Sequence, residues 1–229
     1  MIDVYSWPTP NGHKVHILLE EIGCDYSVTP VNIRTGDQFK PEFLAISPNG
    51  KIPAIVDRDG PGGAPISIFE SGAVLMYLAE KSGLFMPKPR RERYAVIQWL
   101  MFQMGSVGPM LGQALHFNNY TPEPVPYGIA RYTREAERIY SVLDARLARS
   151  EYLAGSDYTI ADISVFPWVT FYKRLGVNPE HLTHFMRWLA AIKARPAVKR
   201  GLEVLKEHRL RPEQLDESAK KLLFGNVPS

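Results

Sequence analysis

Apolar and polar positions alternate over residues 2–6, Ile-Asp-Val-Tyr-Ser, as in a short strand. Trp7-Pro8-Thr9-Pro10-Asn11-Gly12 then reads as a turn. Val15, Leu18, Leu19 and Ile22 fall at i, i+3, i+4 and i+7 and predict an amphipathic helix over 13–22. Gly23 suits its end. Residues 25–31 read as a second strand, and Pro41-Glu42-Phe43-Leu44 as the opening of a short helix. Ile52-Pro53-Ala54-Ile55-Val56-Asp57 predicts a third strand and Ile66-Ser67-Ile68-Phe69 a fourth. A helix over 71–81 follows, with Val74, Leu75 and Leu78 inward and Gly83 after it.

The texture changes after Pro87-Lys88-Pro89. Ile97, Leu100, Met101 and Met104 predict a helical face that Gly105, Gly108 and Pro109 interrupt. Pro122, Pro124 and Pro126 mark a loop. Tyr132, Ala136, Ile139, Tyr140, Leu143 and Leu147 trace one long helical stripe. Thr159-Ile160-Ala161-Asp162 has the form of a capping box, with Asp in place of Glu. Phe185, Trp188, Leu189 and Ile192 mark another helix, halted before Pro196. No convincing strand follows residue 87. A polar, charged tail begins near 205 and contains Leu222-Leu223-Phe224. The pattern therefore predicts two domains: a small α/β domain over 1–86 in the order βαβ, α, ββ, α, and an all-helical domain with a tail over 87–229.

Composition narrows the function. At 229 residues, 45% hydrophobic, the chain has enough apolar surface for one large core or two small ones. The formal charge, 27 minus 24 or +3, predicts neither a nucleic-acid partner nor a membrane surface. No signal-peptide pattern and no long apolar run occur, so a soluble, cytoplasmic protein is expected. The chain has one cysteine, Cys24. One cysteine excludes an internal disulfide, a CxxC redox pair and a cysteine-rich metal site. Any thiol chemistry must use sulfur that the chain binds, and no metal is expected.

Four segments carry a family resemblance. Pro8-Thr9-Pro10-Asn11-Gly12 lies at the first helix. Ser47-Pro48-Asn49-Gly50-Lys51-Ile52-Pro53-Ala54 and Phe69-Glu70-Ser71-Gly72-Ala73-Val74-Leu75-Met76-Tyr77-Leu78 follow, and then the box at 159–162. In this order they resemble the glutathione transferases, with a thioredoxin-like α/β domain followed by an all-α domain. Gln38-Phe39-Lys40-Pro41-Glu42-Phe43-Leu44, Gly108-Pro109-Met110-Leu111-Gly112-Gln113 and His116-Phe117-Asn118 resemble the nu class in particular. The resemblance implies glutathione-dependent disulfide reduction, a homodimer, and glutathione as co-substrate, bound as two molecules or as its disulfide.

Glutathione carries an ammonium, two carboxylates and a thiol. The resemblance implies a cis bond at Pro53, with the Ile52 backbone pairing with the extended peptide. From the residues alone, Pro53 can as well start an edge strand. Glu70 suits the ligand ammonium, and Ser71 with the following helix end suits a carboxylate; an ordinary helix cap is the competing reading. Lys51 suits a carboxylate or is merely solvated. Gln38 matches a glutathione contact of the nu class or is a loop polar residue. Thr9 and Asn11 are the candidate catalytic residues. A hydroxyl, an amide and a helix N-terminus can lower a thiol pKa of about 8.5 by one to two units. Shaping the turn and capping the helix serves equally well as an explanation. Neither Tyr5, Ser6 nor Cys24 matches the position of the catalytic cysteine in cysteine-type members. The resemblance also implies Arg131 as a carboxylate clamp, against a surface pair with Glu135. His116 and Phe117 suit a wall on the electrophile side.

Three functions fit these residues: disulfide reduction through a bound thiolate and a second glutathione, conjugation of glutathione to soft electrophiles, and a non-enzymatic regulatory role such as a yeast relative suggests. The last would be favoured by a long Asn/Gln-rich extension, which the sequence lacks.

Overall fold

A computed structural model describes residues 1–209 and 217–225. The alternating residues Ile2–Ser6 form strand β1, with Val4 fully buried. Helix α1, Pro10–Ile22, begins three residues before the apolar periodicity. Thr9, in extended conformation, caps it, and Pro10 needs no N–H in the first turn. Gly23, at φ 72°, ends it by donating to the Leu19 carbonyl. Strand β2 is Tyr26–Pro30 and a short helix α2 is Pro41–Leu44.

Strand β3 is Ala54–Asp57. The expected start at Ile52 fails by two residues because Pro53 has no N–H to give the ladder. Strand β4, Ile66–Phe69, and helix α3, Ser71–Ser82, complete the α/β region. The sheet order is β2-β1-β3-β4. β1 runs parallel to β2 and antiparallel to β3, and β3 is antiparallel to β4. Helix residues Val15, Leu18, Leu19, Val74 and Leu75 are fully buried, as are Ala54 and Ile55 of β3.

The described residues divide into two units. One is Met1–Leu78 with the chain from Arg200 on; the other is Ala79–Lys199. The segment from Arg200 groups with the first unit for a close-packing reason. A Cβ at Gly201 would lie 2.7 Å from the Ile17 backbone, so α9, Pro196–Glu203, lies against α1 there. Arg200 Nε donates to Glu20 Oε2 at 2.6 Å. His208 stacks on Trp7 with ring centroids 4.8 Å apart. Part of the tail, 210–216 and 226–229, lies outside the described residues; Glu217–Phe224 form helix α10.

The second unit is helical, and no strand occurs in it. Helix α4, Arg90–Phe102, runs through one π turn, Gln103–Val107, into α5, Gly108–Asn119. Gly105, Gly108 and Pro109 do not break the helical path as the pattern predicts. Pro109 falls in the first turn of α5, where its missing N–H is harmless. The buried face is Val96, Leu100, Gln103 and Val107, whereas Met101 is 48% exposed. The expected stripe is thus rotated by one position, from Ile97 and Met101 to Val96 and Leu100, before the π turn begins.

Helix α6, Pro126–Leu147, buries Ala136, Ile139, Tyr140, Leu143 and Leu147, as its periodicity predicts. Helix α7, Ile160–Val169, is buried at every position except Trp168, so it is the centre of this unit. Helix α8, Thr183–Ala194, buries Phe185, Trp188, Leu189 and Ile192. Among the described residues no helix is long and apolar enough to cross a membrane.

Candidate functional site

Strand register decides where the chemistry collects. Ala54, the first residue of β3, pairs with Tyr5 near the end of β1 and with Phe69 at the end of β4. Three chain segments therefore leave the sheet at one end: the turn before α1, the loop before β3, and the junction into α3. Thr9 and Asn11 lie on the first, Lys51, Ile52 and Pro53 on the second, Glu70 and Ser71 on the third.

Thr9 Oγ1 accepts the Gly12 N–H at 3.3 Å, and the Thr9 carbonyl accepts the His13 N–H at 2.9 Å. The capping role weighed against a chemical one is therefore real. It does not use up the residue, because a hydroxyl that accepts one bond still has a hydrogen to donate. Helix α1 has no acidic residue in its first turn, so its positive end is not neutralised from within. Gly12 is required here. A Cβ on it would lie 2.2 Å from the Trp7 carbonyl oxygen.

Gln38 is 5% exposed, in a 3₁₀ turn at Asp37–Phe39. Its Nε2 donates to the Ile33 carbonyl at 3.3 Å, while Oε1 is buried with no partner among the described residues. A ligand N–H would satisfy that acceptor. The Gln38 carbonyl lies 3.4 Å from where a Gly50 Cβ would stand, so the turn abuts the Lys51 loop. Lys51 is exposed, and its carbonyl accepts from the buried Ser47 hydroxyl at 2.8 Å. The Ile52–Pro53 bond is cis, as the resemblance implies. Ile52 precedes the first ladder pair at Ala54.

Glu70 adopts φ 68°, a left-handed conformation unusual for a residue with a Cβ. Such a residue costs about 1–3 kcal/mol and persists only where its surroundings fix it. Here the Glu70 carbonyl accepts the Val74 N–H at 2.9 Å, and Glu70 Oε1 accepts from Asn49 Nδ2 at 3.3 Å. Ser71 is the first residue of α3, and its hydroxyl accepts from Lys14 Nζ at 3.1 Å. The first amides of α3 have no carbonyl partner within the helix and suit an anion.

Lys14 and Asn49 are the site neighbours that sequence reasoning missed. Both stand inside segments that resemble the family, Asn49 in residues 47–54 and Lys14 in Thr9-Pro10-Asn11-Gly12-His13-Lys14, but neither residue type on its own points to a role there.

Arg131 lies on α6 of the second unit and is exposed. The competitor for it, a pair with Glu135, is reduced to a longer-range attraction: the Arg131 charge helps to hold the Glu135 carboxyl below its usual range, after the larger effect of Arg138. Glu135 is held by Arg138 in a two-point bond of 2.8 and 2.7 Å. Arg131 lies over the Tyr132 ring at 5.9 Å. Phe117 stacks on Tyr132 at 5.2 Å, so it serves packing in its own unit. Cys24 sits just past α1, at the end opposite Thr9, about 20 Å of helix away. Burial pushes its thiol above the usual range, which disfavours the thiolate.

A four-stranded β2-β1-β3-β4 sheet with an anion-ready end, followed along the chain by a helical unit, defines a class. Residues 1–80 match the model for the N-terminal domain of glutathione S-transferases, and residues 130–196 match the model for their C-terminal domain. The chain belongs to the glutathione transferase family.

Among its relatives is the disulfide-bond oxidoreductase YfcG of Escherichia coli K12, 50% identical over 203 residues that span 88% of this chain and 94% of the relative. A glutathione transferase family member from Pseudomonas fluorescens, solved with two glutathione bound, is 48% identical with a TM-score of 0.84, covering 88% of this chain and 92% of its own. One from Pseudomonas putida, solved with one glutathione disulfide per subunit, is 44% identical with a TM-score of 0.85, covering 89% and 91%.

Proposed function

We propose that the chain is a glutathione-dependent disulfide-bond reductase that uses no cysteine of its own. The observation that carries this reading is the placement of Cys24 at the far end of α1 from Thr9, with its thiol shifted away from ionisation. Residues 1–86 supply the glutathione site. The Thr9 hydroxyl, the Asn11 side chain and the positive end of α1 hold the glutathione sulfur as thiolate. Gln38 Oε1 accepts a ligand N–H, and the Ile52 backbone, set by Pro53, pairs with the extended tripeptide. Glu70 takes its ammonium, Ser71 its α-carboxylate, and Lys51 reaches a carboxylate. The working form is a cytoplasmic homodimer.

The bound thiolate attacks one sulfur of a small disulfide. A glutathione–substrate mixed disulfide forms and the other substrate sulfur leaves as thiolate, which takes a proton. A second glutathione thiolate then attacks the glutathione sulfur of the mixed disulfide. Oxidised glutathione forms and the second substrate thiol departs. In sum, two glutathiones are oxidised and one disulfide becomes two thiols. Exchange of this kind needs a thiolate near ambient pKa and in-line access. The relatives' name and their bound glutathione or glutathione disulfide support the reading.

The test is turnover of a small disulfide with glutathione, compared with a chloronitrobenzene. The disulfide is expected to be strongly preferred; a preference for the aryl halide would favour conjugation. Cys24→Ser is expected to change the disulfide rate less than about twofold, within surface-substitution effects. Loss of activity would refute a borrowed thiol.

A further inference from the structure

The Thr9 hydroxyl is only as well placed as the turn that carries it, and that turn is tight. The Thr9 N–H donates to the Trp7 carbonyl at 2.7 Å across the single residue Pro8. The fixed φ of proline suits such a three-residue turn. A shift of the Trp7 backbone therefore passes to Thr9 with no slack between them. Trp7 is 5% exposed, and two planar groups lie on its ring. The Arg34 guanidinium carbon is 5.1 Å from the ring centroid, and the His208 imidazole stacks at 4.8 Å and 24°. Asn32 Oδ1 holds Arg34, accepting its backbone N–H at 3.1 Å and Nε at 3.4 Å.

His208 arrives from near the other end of the chain, on a segment anchored along α1. Arg200 meets Glu20, Gly201 meets Ile17, and His208 meets Trp7. The segment changes direction at Leu205, whose φ of 58° is left-handed for a residue with a Cβ. Such a conformation is costly and persists only where its surroundings fix it. The next turn, Lys206–His208, is closed by the His208 N–H on the Leu205 carbonyl at 3.0 Å and the Arg209 N–H on the Lys206 carbonyl at 3.1 Å. Covering Trp7 needs neither a strained reversal nor a flat ring laid nearly parallel to the indole. Any apolar side chain of that size would remove it from water as well.

We propose that His208 is a positioning residue for the thiol chemistry: stacked on Trp7, it fixes the turn that aims the Thr9 hydroxyl at the glutathione sulfur. This rests on the glutathione reading above. A hydrogen bond weakens as its length and angle leave the optimum, so the freedom of the turn sets how far Thr9 favours the thiolate. In this role His208 acts through Trp7 and not on glutathione itself. The stack needs a flat ring rather than the imidazole proton. The Glu207 carboxylate, 3.5 Å from His208 Nε2, therefore has no part in it.

The experiment titrates glutathione bound to the unaltered chain, to His208→Ala and to His208→Phe, by thiolate absorbance. Reduction of a small disulfide is followed over the same pH range. The His208 side chain is 34% exposed, so both variants should fold. His208→Ala is expected to raise the pKa of the bound thiol by about half a unit to one unit. It should lower kcat about threefold to tenfold below that pKa, with the difference closing above it. KM for glutathione should change less than about twofold. His208→Phe, which keeps a ring to stack, should restore the pKa and kcat. Thr159→Ala, which loosens the other unit by removing a helix cap, should leave the thiol where it is.

An unshifted thiol in His208→Ala, failure of His208→Phe to restore it, an equal shift in Thr159→Ala, or a His208→Ala chain that does not fold would each overturn the proposal in favour of a structural role. If the unaltered chain binds no glutathione, or binds it with the thiol titrating as in free glutathione, the underlying reading falls and the inference with it. If the thiol is depressed equally in the unaltered chain and in His208→Ala, the inference alone falls.

Discussion

Two helices of this protein begin on a threonine cap, and they are finished differently. Thr9 before α1 and Thr159 before α7 are both extended, and each hydroxyl oxygen accepts a first-turn amide at 3.3 Å. At α7 the end is closed. Asp162 Oδ2 takes the Thr159 N–H at 3.0 Å, and Oδ1 takes the Leu153 N–H and the Trp188 indole N–H, both at 2.9 Å. Thr159 and Asp162 are buried, and desolvation pushes the carboxyl up to about 6. At α1 no acidic side chain supplies the missing negative charge, and Thr9 is only partly buried. The same capping chemistry thus serves stability where its anion is built in, and on the function proposed above it serves a ligand where its anion is left to come from outside.

Breaking the closed end has the largest expected effect. Asp162→Ala leaves three buried N–H donors without an acceptor and should cost about 3 kcal/mol or more. That corresponds to a Tm fall of roughly 6–12 °C, read by thermal unfolding. A change of less than about 1 kcal/mol would mean that the box is not what holds α7.

The body of α1 gives the next effect, through pH. Desolvation lowers His13 to about 4, with Arg209 acting in the same direction and Glu203 and the Gly201 backbone opposing. Desolvation lowers His16 to about 3, with His13 adding to it. The unfolded chain therefore takes up these protons first. Stability from the two neutral imidazoles is complete above pH about 6.5 and is lost as pH falls toward 4 and then 3, at up to about 1.4 kcal/mol per pH unit for each group. Denaturant unfolding between pH 7 and 4.5 measures it. His13→Gln with His16→Gln should flatten the slope, and an unchanged slope would place the acid sensitivity elsewhere.

Opening the open end further should leave stability nearly alone. Thr9→Ala should cost only about 1 kcal/mol, as for a lost cap. It should slow disulfide reduction about tenfold to a hundredfold at neutral pH, as the thiolate fraction falls. A proportionate loss of stability and rate would make Thr9 another Thr159.

Much of this contrast is legible in the sequence. The spacing of Val15, Leu18, Leu19 and Ile22 gives α1, and Thr159 with Asp162 gives the box outright, because both are local patterns. The sheet strands follow from short apolar runs, with the start of β3 misplaced by Pro53. Glu70 and Ser71 are recognisable as a strand-to-helix junction. Lys14 is not. Its bond to Ser71 spans 57 positions of the chain, and no local period reports such a contact. Gln38 is legible as polar, but its orphaned Oε1 depends on how the Asp37–Phe39 turn lies against Gly50. Met101 misleads because it is as apolar as Leu100 beside it, and only packing decides which of the two faces inward. The grouping of the segment from Arg200 with the first unit depends on Gly201 meeting Ile17, a contact that composition cannot show.

The open end of α1 is tested most directly by titrating the sulfur it is held to stabilise. Glutathione bound to the unaltered chain and to Thr9→Ala is titrated by the ultraviolet absorbance of the thiolate. The bound thiol should ionise about one to two pH units below free glutathione in the unaltered chain, and shift back toward the free value in Thr9→Ala. A bound thiol that titrates like the free one, or the same depressed value in both proteins, would contradict it.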